Sequence, residues 1–344
     1  MKFLRIFSTE KSHNKALPPY VVLVIGVLLL LISVIASLCF GAASLMPSSL
    51  LADLAGRGDG TALRIVQHIR LPRIAATLLA GSSLAVAGMV IQSVLKNPLA
   101  SPGIIGVNSG AGFMATLACA LFPAQIKLIP IAAFLGAFIT VLLVYGIGCA
   151  TGASRITIVL AGVAVSGILS AGIDTVVTIV PNALTGSNMF RIGGVAGVTF
   201  SGIFPQGYIM IVAMAAVFFL RNEIDVLSLG QETAKSLGLN VGLYQFLLLG
   251  LATLLAGSAV SFAGLISFVG LLIPHIARRL VGTQSKVLIP CCIIYGAAFL
   301  SFCDLVARIL FAPYEIPVGL VLSILGGPFF IYLLMRQRKR GINA

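Results

Sequence analysis

"ATLLAGSSLAVAG" at residues 76–88 returns as "ATLLAGSAVSFAG" at residues 252–264. Ala76 to Ser82 are identical to Ala252 to Ser258, and the two copies are 252 − 76 = 176 residues apart. Each copy places small side chains on one helical face: Gly81, Ala85 and Gly88 in the first, Gly257, Ser261 and Gly264 in the second. That pattern lets membrane helices approach closely. Any apolar helix rich in Ala, Leu and Gly resembles another to some degree, but the unbroken run of identities favours a true repeat. What the repeat means depends on which way each copy runs.

The surrounding sequence answers that. Of 344 residues, 59% are hydrophobic and only 9% charged, and the mean hydropathy is +1.12. Ordinary globular domains carry about a quarter charged residues, so the chain reads as an all-α integral membrane protein. At ~20 apolar residues per span, ten spans fit: 20–40, 74–95, 103–122, 127–149, 156–180, 203–220, 242–262, 266–281, 287–303 and 317–335. The eighth is short and contains Pro274. The first exceeds the ~7–15 residue apolar core of a signal peptide, and Leu38 rather than a small residue precedes Cys39, which argues against lipidation. One membrane domain covers 1–344: a tail at 1–19, spans within 20–335, and a basic tail at 336–344.

Orientation follows from the cations. With the N-terminus inside, Lys2, Arg5, Lys11, Lys15, Lys96, Arg155, Arg221, Lys235, Arg278, Arg279, Lys286, Arg336, Arg338, Lys339 and Arg340 are cytoplasmic, 15 of the 22 Lys and Arg residues. The positive-inside rule therefore predicts both termini inside. Arg57, Arg64, Arg70, Arg73, Lys127, Arg191 and Arg308 fall outside and need another reason to be there. The first repeat copy then runs inward on the second span and the other outward on the seventh. Inverted repeats of this kind recur in transporters, where two similar halves surround a pathway.

The net charge of +13 does not imply nucleic acid, because the cations sit at span ends rather than in one stripe with interleaved aromatics. Ion-coupled carriers need ionisable groups within the membrane. Of the nine acidic residues, only Asp174 falls clearly within a span, where it serves as a proton relay or faces a polar pathway or a partner subunit. The chain has no G-x-x-x-x-G-K-[ST] loop, so any ATP-driven engine resides on another chain. The longest polar interruption on the inner side is 221–242, and "ETAKSLG" within it has helical composition, with Gly238 as a C-cap. It reads either as a solvated loop or as a segment that transmits motion from a docked ATPase. The six cysteines, which include no C-x-x-C pair, read as packing residues. His275 lacks companions at ligand spacing and reads as structural; no metal site is expected.

Three stretches then carry a resemblance: "RLPRIAATLLAGSSLAVAGMVIQSVLKNPLASPGIIGVNSGA" (70–111), "AGLISFVGLLIPHIARRLVG" (263–282) and "DLVARILFAPYEIPVGLVLSILGGPFFIYLL" (304–334). Together they resemble the FecCD family, the permease subunits of type II ABC importers for iron–siderophore complexes, haem and cobalamin. The resemblance implies about ten helices per subunit and a non-enzymatic chain that binds no cofactor. It also implies a bacterial inner-membrane location and partners: a second permease subunit, identical or paralogous, two ATPases holding ATP and magnesium, and an extracytoplasmic binding protein.

By the same resemblance, Arg70, Arg73 and Arg308 dock the binding protein. Arginine suits that task because its planar fork binds carboxylates bidentately. The alternative is internal pairing of Arg73 or Arg308, for example with Asp304 or Glu315. Asn97 and Leu99 in "NPLA" resemble the cytoplasmic gate, and Pro98 and Pro102 independently predict that the backbone turns there. Glu232, Lys235, Ser236 and Gly238, within a coupling segment at 222–241, are implied ATPase contacts. One departure is "FRIGGVAG" (190–197), where many members carry a Trp followed by a Gly-Ser pair; it places the outer loop's contacts in doubt. The function expected is ATP-driven import by alternating access. The rival readings are a secondary transporter coupled through Asp174 and a structural or receptor subunit that needs no gate.

Overall fold

The structure is a computed structural model that describes residues 18–41, 52–53, 55–150 and 155–341. Lys2, Arg5, Lys11 and Lys15 of the expected N-terminal tail lie outside the described residues. Regular structure among the described residues is helical throughout. In chain order the helices are α1 (Pro19–Cys39), α2 (Thr61–Ile65), α3 (Leu71–Val94), α4 (Val107–Leu121), α5 (Leu128–Ala150), α6 (Arg155–Ile179) and α7 (Asn182–Ile192). They continue with α8 (Phe200–Phe219), α9 (Arg221–Leu229), α10 (Gln231–Ser236), α11 (Val241–Ala263), α12 (Val269–Val281), α13 (Ser285–Ile309) and α14 (Val318–Gly341). A π-helical turn, Val66–Arg70, joins α2 to α3.

Each expected span coincides with a helix: α1, α3, α4, α5, α6, α8, α11, α12, α13 and α14. Among the described residues, seven helical stretches are long and apolar enough to cross a bilayer by themselves. Two of the other three, α4 and α12, are shorter, for local reasons. The chain turns through Ser101–Gly106, with Val107 N–H donating to the Pro102 carbonyl, so α4 begins four residues later than the apolar run. α14 opens with an apolar stretch that includes Val318–Ile331. α12 has 13 residues, about 20 Å at ~1.5 Å per residue, and ends in Arg278 and Arg279. The basic run after residue 335 continues α14 as far as Gly341.

The two repeat copies form the centre. α3 and α11 pack against each other, and their neighbours are exchanged: α3 packs on α13, whereas α11 packs on α5. The spans of α3 and α11 are 83% and 67% buried, against 22% for α1 and α6 at the periphery. The small residues permit this. A Cβ on Gly81 would collide with the carbonyl of Gly296 in α13, and one on Gly88 with the carbonyl of Gly270 in α12. At the matching place in α11, a Cβ on Gly257 would stand 3.4 Å from that of Ala137 in α5. The copies run antiparallel. Arg73 at the start of α3 and Phe262 at the end of α11 line one cavity, while Lys96, just past α3, reaches Leu229 on the segment that leads into α11.

Candidate functional site

Functional side chains gather at the two ends of the α3–α11 pair. At the Arg73 end, Pro72 withholds the N–H that would bond the His68 carbonyl, and the chain widens into the π turn that precedes it. Leu71 N–H reaches back to the Val66 carbonyl instead. Arg73 then projects into α13, where Asp304 accepts from its Nε at 3.1 and 3.0 Å and from Nη2 at 3.0 Å. Its Nη1 donates to Glu315 at 2.6 Å. Asp304 also pairs with Nε of Arg308, one turn along α13, at 3.2 Å. Arg308 Nη1 lies 3.4 Å from the carbonyls of Ser37 and Phe40, and Arg70 Nη1 donates to that of Leu38. Arg70 and Arg308 thus supply cations to the carbonyl end of α1, where unpaired acceptors and the helix dipole favour them.

This result bears on the expected docking residues. Arg70, Arg73 and Arg308 do meet at one end of the molecule, yet they are 3%, 6% and 3% exposed. Three guanidinium groups are answered by two carboxylates and a helix terminus; the pairs of Arg73 with Asp304 and Glu315 and of Arg308 with Asp304 are the internal alternative weighed in the sequence. Exposed cations at the same end are Arg57, Arg64 and Lys127. Arg64 sits on α2, whose start is fixed by carboxylates: Gly60 and Leu63 N–H groups donate to Asp53, and Thr61 donates to Asp59. The Thr61 backbone N–H, aided by its hydroxyl, holds the Asp59 carboxyl below its ordinary value.

A cavity of about 430 Å³ opens beside the cluster, lined by Arg73, Lys127, Glu315, Phe262 and residues 194–199. "FRIGGVAG" forms its wall. Phe190 accepts from Leu265 N–H at 2.9 Å, Gly194 N–H donates to Ala263 at 2.8 Å, and Gly193 accepts from Gly319 N–H at 3.0 Å. This stretch joins the ends of α7 and α11 to the start of α14. Gly193, at φ +80°, has the Leu265 backbone where a Cβ would stand. Arg191 is half-buried on the last turn of α7.

The opposite end holds the expected gate and coupling residues. Asn97 accepts from Leu99 N–H at 2.9 Å through its side chain, and its carbonyl accepts from Ala100 N–H at 3.0 Å. The "NPLA" stretch is therefore a compact turn with Asn97 and Leu99 half-buried. Next to it, Arg278 of α12 binds Gln92, the Met89 carbonyl and Ser93, while Gln92 donates to the Gly270 carbonyl at 3.1 Å. Lys96 Nζ donates to the Leu229 carbonyl at 2.9 Å, joining this turn to α9. Asp225 of α9 accepts from Ser285 N–H at 2.9 Å, capping α13. Within 222–241, α9 buries Ile224 and Leu227 and α10 buries Ala234. Glu232, Lys235, Ser236 and Gly238 stay exposed. Gly238 ends α10 as expected: its N–H donates to Lys235, Leu239 N–H donates to Ala234, and its φ is +82°.

On α6, Asp174 and Thr175 are exposed together with Thr178, whose hydroxyl bonds the Asp174 carbonyl at 2.7 Å. His275 sets its ring edge-on to Phe329, with centroids 6.1 Å apart.

Residues 29–336 match the model of the FecCD transport family. The iron(3+)-hydroxamate import system permease protein FhuB of Bacillus subtilis (strain 168) is 38% identical over 323 residues, covering 93% of this chain and 84% of FhuB. The Fe(3+)-citrate import system permease protein YfmE of the same organism is 34% identical, covering 96% of this chain and 99% of YfmE. An inward-facing solved structure described as a metal-chelate type ABC transporter superposes with a TM-score of 0.83 at 30% identity, covering 93% of this chain and 100% of that one.

Proposed function

We propose a function from one established premise: this chain belongs to the FecCD transport family, the permeases of iron-chelate ABC transport. It is a multi-span membrane protein, and the reading that follows is that it serves as the membrane-spanning subunit of an ATP-driven importer of an iron–siderophore chelate. It pairs with a second permease subunit, two ATPase subunits holding ATP and magnesium, and an extracytoplasmic binding protein. The hydroxamate and citrate relatives support a ferric chelate as cargo ahead of haem or cobalamin.

One observation carries the ATP-driven reading. The α9–α10 segment is anchored through Ile224, Leu227 and Ala234 while it turns Glu232, Lys235, Ser236 and Gly238 outward. A chain without a nucleotide-binding motif thereby offers a free face for one that has it. In this reading the Lys96 end is cytoplasmic, both termini are cytoplasmic, and Asn97 and Leu99 close the pathway from that side. The Arg73 end receives the binding protein, with Arg70, Arg73 and Arg308 bracing the docking surface from beneath. Alternating access follows when ATP binding moves α10.

Asp174 has a place in this reading without a coupled ion. A carboxylate facing lipid is costly, so the Asp174 face of α6 turns toward the pathway and the second subunit. Uptake into proteoliposomes containing this chain and its co-purified partners, with ferric siderophores, haem and cobalamin offered on their binding proteins, tests the proposal. ATP-dependent uptake of one ferric chelate supports it. Uptake that ignores ATP and follows an imposed ion gradient overturns it.

A further inference from the structure

We infer that Lys96 is the strut that transmits movement of the coupling segment to the gate turn, an inference resting on the importer reading above. The geometry at the end of α3 isolates it. Asn97 N–H donates to the Gln92 carbonyl at 3.1 Å and Lys96 N–H to the Ser93 carbonyl at 3.2 Å, the paired bonds that close a helix through a left-handed residue. That residue is Lys96, at φ +50°. Glycine is the usual occupant because a Cβ is disfavoured there. The same chain uses glycine for the same motif at the end of α10, where Gly238 has φ +82°. A lysine held in a conformation better suited to glycine marks a side chain with work to do.

Its Nζ donates to the carbonyl of Leu229, the last residue of α9, at 2.9 Å. This carbonyl has no intrahelical partner, and it lies at the negative end of the helix dipole. Gly230, the next residue, has φ +129°, which L side chains rarely adopt, and lies in ordinary contact range of the ammonium. α10 begins at Gln231, two residues beyond Leu229, and the gate turn begins at Asn97, directly after Lys96. The span from coupling helix to gate is therefore one hydrogen bond and three peptide linkages. A second tie, Asp225 to Ser285 N–H, holds the other end of the segment to α13, so displacement of α10 pulls on α3 at Lys96.

Lys96→Gly separates the strut from the fold, because glycine suits the left-handed position and removes only the ammonium arm. In the fully assembled transporter in proteoliposomes, chelate transported per ATP hydrolysed is measured for wild type, Lys96→Gly and Lys96→Arg. The expected result is a ratio reduced by roughly 3- to 30-fold in Lys96→Gly, the range for substitutions along a coupling route, with most of it regained in Lys96→Arg. An unchanged ratio in Lys96→Gly beside ATP-driven uptake by wild type overturns the strut alone. Absence of ATP-driven uptake by wild type overturns the importer reading and the strut with it.

Discussion

Asp304 on α13 accepts three hydrogen bonds from the guanidinium of Arg73 on α3, across 231 residues of sequence and with 2% of its own surface exposed. The pair ties the central helix of the first repeat unit to the helix packed most closely against it. Removing one member of a buried pair leaves the other charged and unsolvated, at a cost of about 3–5 kcal/mol. Asp304→Ala takes the shared buried carboxylate from both Arg73 and Arg308, leaving Arg73 only Glu315 and Arg308 only backbone carbonyls, so the purified protein should melt well below wild type in detergent. Glu315→Gln, at a partner 34% exposed, should cost less than ~1 kcal/mol. Equal melting of all three proteins would show that the pair contributes nothing.

Burial of Arg70, Arg73 and Arg308 changes how docking must be tested. Reversing their charge would disrupt the protein before it informed on a partner, because each supports an internal contact. The exposed cations Arg57, Arg64 and Lys127 are the informative set. Rim charges act chiefly on association rate and its salt dependence. The triple change to Gln should slow binding-protein association at low salt and flatten its dependence on ionic strength, while the melting temperature stays near wild type. An association rate identical to wild type at low salt removes these residues from the dock.

The glycines of α3 and α11 should differ in tolerance according to what a Cβ would meet. Gly88→Ala drives a Cβ into the Gly270 backbone, and overpacking of that kind costs about 1–3 kcal/mol. Gly257→Ala meets Ala137 at an ordinary 3.4 Å, and Gly250→Ala meets nothing within 4 Å. Thermal unfolding should rank Gly88→Ala as clearly destabilised and the other two near wild type. A destabilised Gly250→Ala would contradict the packing of α11.

Features carried by local chemistry were legible in the sequence. Apolar run length located the ten helices, Pro98 and Pro102 located the turn, and Gly238 marked the end of α10. The repeat revealed its own place at the centre because small residues make close contact possible. What the sequence left open depends on distance along the chain. Whether Arg73 serves a partner or Asp304 turns on how α3 and α13 pack, and positive-inside counting registers only that its cation falls among the exceptions to the rule. Lys96 escaped notice for a related reason: its residue type argues against a left-handed cap, and only the position of Leu229 explains the exception.

Asp174 distinguishes two engines. In a carrier driven by an ion gradient, a carboxylate within the membrane binds the coupled ion, and its loss abolishes transport. In the importer reading the energy enters at α10, at the other end of the molecule from the outer end of α6, and Asp174 only keeps a pathway wall polar. Its neighbours Thr175 and Thr178 donate their hydroxyl protons to their own helix carbonyls at 2.8 and 2.7 Å, which makes this face of α6 polar whether or not an ion binds. Asp174→Asn preserves polarity and volume while removing the charge. Substitutions that disturb no buried contact change stability by at most about 0.5 kcal/mol, so the variant should fold as wild type does. Uptake driven by internal ATP should remain close to wild type and be indifferent to collapse of the proton and sodium gradients. If Asp174→Asn abolishes uptake and wild-type uptake collapses with a gradient while ATP is maintained, the engine is the gradient, and the exposed face of α10 serves some other partner.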